Sequence, residues 1–288
     1  MDRVVQNNLV HTYFNVSNSL IGVGYTQAGF AATQGSYSMS LAPGNGIAVN
    51  DRVLYFAPIH LDRGVHDTLY FGTQHLYRSL AFFTSPTFSK VNTADLAPAV
   101  PPSAFGGEIS AIETVANPAA GMNAQVLFTG ADNGRVFRST DGGVMFDEVD
   151  TGALGHYVSD ILAVPGDPSI VYQSRSAFTG ATPPHTVRKS VDGGLTWSDA
   201  STGLPDVPAN ALALDPIVPN RIWLGTDVGM YVSTDAAQSW QPYNDGLPNV
   251  PVFDLASSNA GAVILACTYG RGAFVLHLDQ IFGDGFGS

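Results

Sequence analysis

The sequence predicts an all-β protein built from repeated four-stranded antiparallel sheets. Three observations carry that expectation. A Ser-x-Asp stretch closed by a downstream aromatic recurs at Ser139, Ser190 and Ser233. Each copy follows two short apolar runs and precedes another, with Gly or Pro between them. The composition is 45% hydrophobic and only 12% charged, with 31 Gly and 18 Pro, as suits many short strands joined by tight turns. The interval of about 40–50 residues is the period of β-propeller blades. Nothing reads as a long amphipathic helix.

Taken in order, residues 1–45 are rich in Asn, Gly and Ser, with strand-like pieces at 11–16 and 20–25. They read as a divergent first blade. Residues 47–58 are a strand candidate, and 60–66 a loop. Runs at 67–73, 75–79 and 88–92 complete a blade near 46–97. A Pro- and Ala-rich link at 95–107 leads to three blades, near 107–155, 156–206 and 207–249. Their third runs end at Ser139, Ser190 and Ser233, and Gly-Leu-Pro closes two of them, at Gly203 and Gly246. A last blade, 250–279, has three runs and no Ser-x-Asp turn. Its fourth strand is expected from the N-terminal segment, which would close a ring and hide both sheet edges. The expectation is one propeller domain over 1–279, of about six blades (five to seven), and a tail at 280–288.

The repeated turns are Ser139-x-Asp141-x-Gly143-x-x-Phe146, Ser190-x-Asp192-x-Gly194-x-x-Trp197 and Ser233-x-Asp235 followed by Trp240, with Ala237 in the glycine position. Leu76-Tyr77-Arg78-Ser79 opens a decayed copy in which Ala81 replaces the aspartate. A still weaker one begins at Gly24. The pattern resembles the Asp-box, or BNR repeat, of propellers such as sialidases, sortilin-type receptors and Asp-box xyloglucanases. The stretches 224–235 and 268–274 are most similar to exported bacterial members, and 281–286 looks like the C-terminal end of some secreted proteins. The resemblance implies that each box lies between the third and fourth strands of its blade. Boxes dispersed around a ring cannot converge on one substrate, so their aspartates are expected to fasten turns.

The formal net charge is −12, with Lys90 and Lys189 the only lysines. That excludes the basic patch a nucleic-acid binder or an anionic-membrane binder needs. A neutral glycan or a protein partner remains compatible. Cys267 is the single cysteine and lies in an apolar run, so it reads as a small buried hydrophobe rather than a ligand. No cofactor and no metal is expected: His60, Asp62, His66 and His75 match no standard ligand spacing. His156 and His185 read as surface or turn residues. No segment reaches the length of a membrane-spanning helix. The N-terminus carries no signal-peptide core, so an exported form would be mature or part of a longer chain.

Candidate site residues come from where the repeats differ. A sialidase needs an arginine triad and a tyrosine–glutamate pair. Here the only Arg-Ile, Arg221-Ile222, comes late, and the only glutamates are Glu108, Glu113 and Glu148. A xyloglucanase-like hydrolase needs two carboxylates about 5–10 Å apart. Asp160 and Asp254, on first strands, are candidates. Aligning Asp160 with Asn210, and Asp254 with Ala211, places them on alternate faces. Arg271, between Gly270 and Gly272, with Tyr269, and Phe178 on the long loop 176–184, are candidate binding residues. The expectation is a non-catalytic exported propeller that binds a glycan or protein through one face. The alternative is a glycoside hydrolase, xyloglucanase- or sialidase-like, or an inactive fragment of one; a third is a structural module of a larger surface protein.

Overall fold

In a computed structural model of the protein, described residues run from 46 to 278, except 49, 66, 86, 101–105, 120, 152–154, 182–183, 244 and 259–261, together with the backbone of three N-terminal strands. The chain forms two compact units, 1–155 and 156–288.

In the N-terminal unit, β1 (Arg3–Val5), β2 (Asn8–Asn15) and β3 (Leu20–Thr26) form one antiparallel sheet. Two four-stranded blades follow. The first is β4 (Ile59–Leu61), β5 (Leu69–Gly72), β6 (Leu76–Ser79) and β7 (Ser89–Lys90); the second is β8 (Ile109–Val115), β9 (Val126–Ala131), β10 (Arg135–Ser139) and β11 (Asp147–Thr151). In the C-terminal unit, β12 (Val158–Val164), β13 (Asp167–Arg175), β14 (Val187–Ser190) and β15 (Ser198–Asp199) form one blade. The next is β16 (Ala209–Leu214), β17 (Ile222–Thr226), β18 (Gly229–Ser233) and β19 (Gln241–Tyr243). A three-stranded sheet of β20 (Val252–Ser258), β21 (Val263–Thr268) and β22 (Gly272–His277) ends it. The chain is thus an all-β propeller with five blade sheets, every pairing antiparallel.

Burial explains the pattern of the strands. Inner strands pack on both faces and read as continuous apolar runs: Leu69, Tyr70 and Phe71 are buried in succession, as are Ile222, Trp223 and Leu224. Fourth strands β11, β15 and β19 are largely exposed and polar. Cores lie between consecutive sheets. Tyr70, Leu76 and Leu96 of the first blade meet Ile109, Leu127 and Phe137 of the second. In the other unit, Tyr172 and Val187 meet Leu212, Leu224 and Trp240, and Trp223 and Met230 meet Ile264 and Leu276.

Two expectations are corrected. Residues 47–58 form no strand, and the first strand starts only at Ile59. Asp51 explains this: its carboxylate accepts from the Tyr77 hydroxyl (2.5 Å), the Thr73 hydroxyl (3.1 Å) and the Gln74 amide (3.3 Å), which pins an irregular loop. Among the described residues the N-terminal strands pair with one another, and the β20–β22 sheet has three strands. The β2–β3 ladder, from Leu9↔Thr26 to Asn15↔Leu20, closes a short loop, which is entropically cheaper than pairing with a distant edge.

The three Ser-x-Asp turns link third to fourth strands and share one geometry. Each serine hydroxyl donates to its aspartate, at 2.8 Å in Ser139–Asp141 and 2.7 Å in both Ser190–Asp192 and Ser233–Asp235. It also accepts the N–H four residues on, from Gly143, Gly194 and Ala237. The aspartate then caps the far side of the turn. Asp192 accepts the Thr196 hydroxyl (2.6 Å) and N–H (2.9 Å), and Asp235 does the same with Ser239. The hydroxyl and N–H of Thr196, with the Ser190 hydroxyl, hold the Asp192 carboxyl at about 2. For Asp235 partial burial works the other way, but the Ser239, Ser233 and Gln238 hydrogen bonds outweigh it and hold it at about 2. The two residues after each aspartate are left-handed. They are glycines in two turns and Ala236 (φ 60°) and Ala237 (φ 65°) in the third.

A candidate binding rim on the C-terminal unit

A one-residue bulge interrupts the first strand of four sheets. The ladder slips between Ile109 and Ala111, Val158 and Asp160, Ala209 and Ala211, and Val252 and Asp254. The extra residues are Ser110, Ser159, Asn210 and Phe253. Bulges re-aim side chains and recur at functional rims. Their register also corrects the sequence alignment. Asp160, Ala211 and Asp254 each follow the bulge and face Ser174, Gly225 and Cys267 on the second strand. Asp160 and Asp254 therefore occupy equivalent positions rather than alternate faces.

Asp160 is engaged within its sheet and with the next. Asp160 accepts the N–H of Ile161 (2.9 Å) and that of Leu212 (2.9 Å), so it fastens β12 to β16. Glu113 is buried in a two-pronged pair with Arg63, at 2.7 and 2.9 Å. Asp62 accepts from the N–H groups of Gly64, Val65 and Ala124 and from the Tyr70 hydroxyl, a turn-capping hub. His60 Nε2 meets the Thr114 hydroxyl at 3.0 Å and His75 Nδ1 the Ala94 carbonyl at 2.7 Å. His66 lies outside the described residues.

At Asn210 the bulge builds a polar strip. Its amide N–H donates to the Asp227 carboxylate (2.9 Å) and to the Val252 carbonyl (3.2 Å), and its oxygen accepts the Ser176 hydroxyl (3.1 Å). The strip ties the starts of β16 and β20 to the loop after β13. Two aromatics stand where it reaches the last sheet. Phe253 is 45% exposed and Tyr269 71% exposed, with rings edge-to-face at 5.8 Å and 86°. Arg271 is exposed at the adjoining turn, whose Gly270 (φ 74°) and Gly272 (φ 80°) are left-handed. At the other end, Phe178 is 69% exposed on the loop after β13. Asp206 holds that loop through the N–H groups of Thr179 (2.7 Å) and Gly180 (2.8 Å) and the Thr179 hydroxyl (3.0 Å). These donors hold the Asp206 carboxyl below its usual range. Positions 182 and 183 of the loop lie outside the described residues. Tyr269, Arg271 and Phe178 were visible in the sequence as candidates. Phe253 and Asn210 were not singled out, because only the bulge distinguishes them from ordinary strand positions.

A second unanticipated feature lies in the N-terminal unit. The Glu108 carboxyl is pushed up to about 7, first by burial and then by a hydrogen bond to, and the charge of, Asp132; Arg52 opposes the shift. Asp132 also accepts the Glu108 N–H at 2.9 Å.

The sequence matches no protein-family model, and no curated protein matches it as a relative. Solved structures do match. A GH74 enzyme from Niastella koreensis aligns over 93% of this chain and 43% of its own, at 15% identity and a TM-score of 0.64. PorZ of Porphyromonas gingivalis, described as an essential bacterial surface component of the type-IX secretion system, aligns over 97% of this chain and 40% of its own (13% identity, TM-score 0.59). The extracellular domain of BT4673 from B. thetaiotaomicron aligns over 95% of this chain and 32% of its own (14% identity, TM-score 0.56). The chain therefore spans less than half the length of each of these neighbours. Among the described residues no helix is long and apolar enough to cross a membrane. At these identities the likeness is one of architecture, and it agrees with the strand pairing: the chain has the β-propeller fold.

Proposed function

We propose that the protein is a non-catalytic, exported binding propeller that takes a neutral glycan on the rim bearing Phe178, Phe253 and Tyr269. The observation that carries this reading is the exposed, edge-to-face Phe253–Tyr269 pair beside the Ser176–Asn210–Asp227 strip. Exposed rings offer flat apolar faces to the C–H faces of a sugar, while the buried Asn210 amide, bonded to Ser176, Asp227 and the Val252 carbonyl, fixes the backbone beneath them. The loop bearing Phe178 is fixed by Asp206 before any ligand arrives, which lowers the ordering cost of binding. A net charge of −12 favours an uncharged ligand over an acidic one. Export is supported by the neighbours titled as surface or extracellular domains.

The hydrolase reading draws support from the GH74 enzyme among the neighbours. Against it stands the use of Asp160 as a strand fastener. A panel of neutral oligosaccharides separates the two. Binding without release of reducing ends, lost in Phe253→Ala and Tyr269→Ala, supports the binding propeller. Turnover of any member of the panel overturns it.

A further inference from the structure

The outer end of the core between the last two sheets is open. A cleft of about 340 Å³ lies there, lined by Tyr243, Asp245, Leu247, Phe274 and Leu276 among others. It runs beside β22, the edge strand of the three described in its sheet. Val275 on that strand is 52% exposed.

The preceding pair of sheets shows what fills the equivalent place. There the residues after the fourth strand read Gly203-Leu204-Pro205, as Gly246-Leu247-Pro248 do here. Trp240, at the end of the next blade's Ser-x-Asp turn, covers them. Its indole N–H donates to the Ala200 carbonyl (2.7 Å) and its backbone N–H to the Thr202 carbonyl (2.9 Å). It is 97% buried by count of its 3% exposure, and β19 begins at the next residue. Gly203 touches it so closely that an added Cβ would lie 2.4 Å from the Trp240 carbonyl oxygen. At Gly246, left-handed like Gly203, an added Cβ would meet nothing within 4 Å. The last sheet has neither a Ser-x-Asp turn nor a tryptophan. Among the described residues, its socket and its strand edge lack the two parts that complete the neighbouring blade.

The geometry points to this cleft and the β22 edge as a docking site for an extended segment of another polypeptide: a tryptophan in the socket, followed by residues that add to β22 as a fourth strand. Strand addition is a general mode of peptide recognition, in which edge hydrogen bonds supply affinity and a pocket supplies specificity. The anchor is assigned to a different polypeptide, since the three tryptophans of these 288 residues are engaged elsewhere. Of the three, Trp223 and Trp240 are buried in cores and Trp197 stacks with Arg188 at 6.0 Å. A second copy has the same three in the same places, and it repels the first with a charge of −12 on each. The fourth strands of the other blades are short, and the net charge of −12 disfavours an acidic partner, so the segment is a short uncharged or basic one with a single aromatic anchor.

The test uses the full chain and a fluorescein-labelled, end-blocked peptide of residues 238–243, Gln-Ser-Trp-Gln-Pro-Tyr, which fills the equivalent socket and forms β19. Anisotropy is expected to give a dissociation constant below about 1 mM, with at least a tenfold loss when the peptide's tryptophan is replaced by alanine. Gly246→Asn is expected to cause a similar loss: asparagine tolerates the left-handed backbone, and its side chain occupies the space over the socket. Amide hydrogen exchange on the unaltered protein gives a readout independent of that variant. The β22 amides are expected to exchange freely alone and to slow when peptide is added. Equal binding of the tryptophan and alanine peptides, no binding at 1 mM, or β22 amides already protected in the free chain would each overturn the proposal, the last by showing that the chain covers its own edge.

Discussion

The Trp240 indole N–H donates to the Ala200 carbonyl at 2.7 Å, so the turn of one blade is bonded to the end of the blade before it. The same turn is gripped a second time. Lys189 Nζ donates to the Ala236 carbonyl at 2.9 Å while lying 5.4 Å from the Tyr172 ring, and the Tyr172 hydroxyl reaches the same carbonyl at 3.4 Å. In the N-terminal unit, Arg78 donates to the equivalent carbonyl, that of Gly142, at 3.4 Å. The Ser-x-Asp turn is therefore both a fastener within a blade and a clasp between blades. Trp240→Phe removes a donor from a buried carbonyl while keeping most of the ring. A loss of about 1–3 kcal/mol in urea unfolding is expected. An unchanged unfolding midpoint would show that the clasp carries no stability.

Ala236 stands left-handed (φ 60°) where the other two turns have Gly142 and Gly193. A left-handed conformation costs an L-residue about 1–2 kcal/mol, and glycine gives back about half of that through its own chain entropy. Ala236→Gly is expected to stabilise the protein by up to about 1 kcal/mol, a rise of roughly 2–4 °C in Tm. Calorimetry checks it. Ala237 is a poorer site for the same change, because its side chain is buried in the core between blades.

The fold was legible because its signals are local. Turn chemistry at Asp141, Asp192 and Asp235 repeats at a fixed interval, and strand runs between turns need no knowledge of distant residues. What failed was also local in origin but invisible in a string. The bulge is shared by β12, β16 and β20 and keeps Asp160, Ala211 and Asp254 in register, but nothing in the string marks where each strand begins, so aligning Asp160 with Asn210 is off by one residue. The Glu108–Asp132 contact joins residues 24 apart that share no motif. Residues 47–58 have strand composition, but the Asp51 carboxylate, bound to Tyr77 and Thr73, holds them in a loop.

Asp192 titrates at about 2 in the folded protein against an ordinary 3.8. A depressed carboxyl lends stability that is present above about pH 4 and is lost as pH falls toward 2. Asp192→Ala is accordingly expected to lower Tm at pH 7, with the gap to the unaltered protein narrowing as pH approaches 2. Glycan binding on the rim should survive the substitution. A Tm gap that does not change with pH would remove the carboxylate's charge from the account.

Glu108 works in the opposite sense. Its folded value of about 7 lies above its ordinary 4.5, so its contribution is fully present below about pH 4.5 and lost as pH rises through 7. Glu108→Gln keeps a neutral hydrogen-bonding group beside Asp132 at every pH. The variant is expected to match the unaltered protein near pH 4 and to melt higher at pH 8. Equal melting at pH 8 would place the two carboxyls too far apart in solution to share a proton.

Phe253 and Tyr269 are the residues on which the glycan reading stands or falls. Both are exposed, at 45% and 71%, so removing either ring leaves the core intact, and Tm should shift by no more than about 1 °C. A ring that stacks on a sugar carries affinity out of proportion to its role in folding, and a loss of about tenfold for each single alanine variant is expected by titration calorimetry. The rings touch edge-to-face at 5.8 Å, so the double variant should lose less than the product of the two singles. Phe178, held on its own loop by Asp206, should instead add independently with either. If Phe253→Ala and Tyr269→Ala leave affinity unchanged while Phe178→Ala abolishes it, the ligand sits on the loop after β13 and the bulge at Phe253 belongs to the architecture alone.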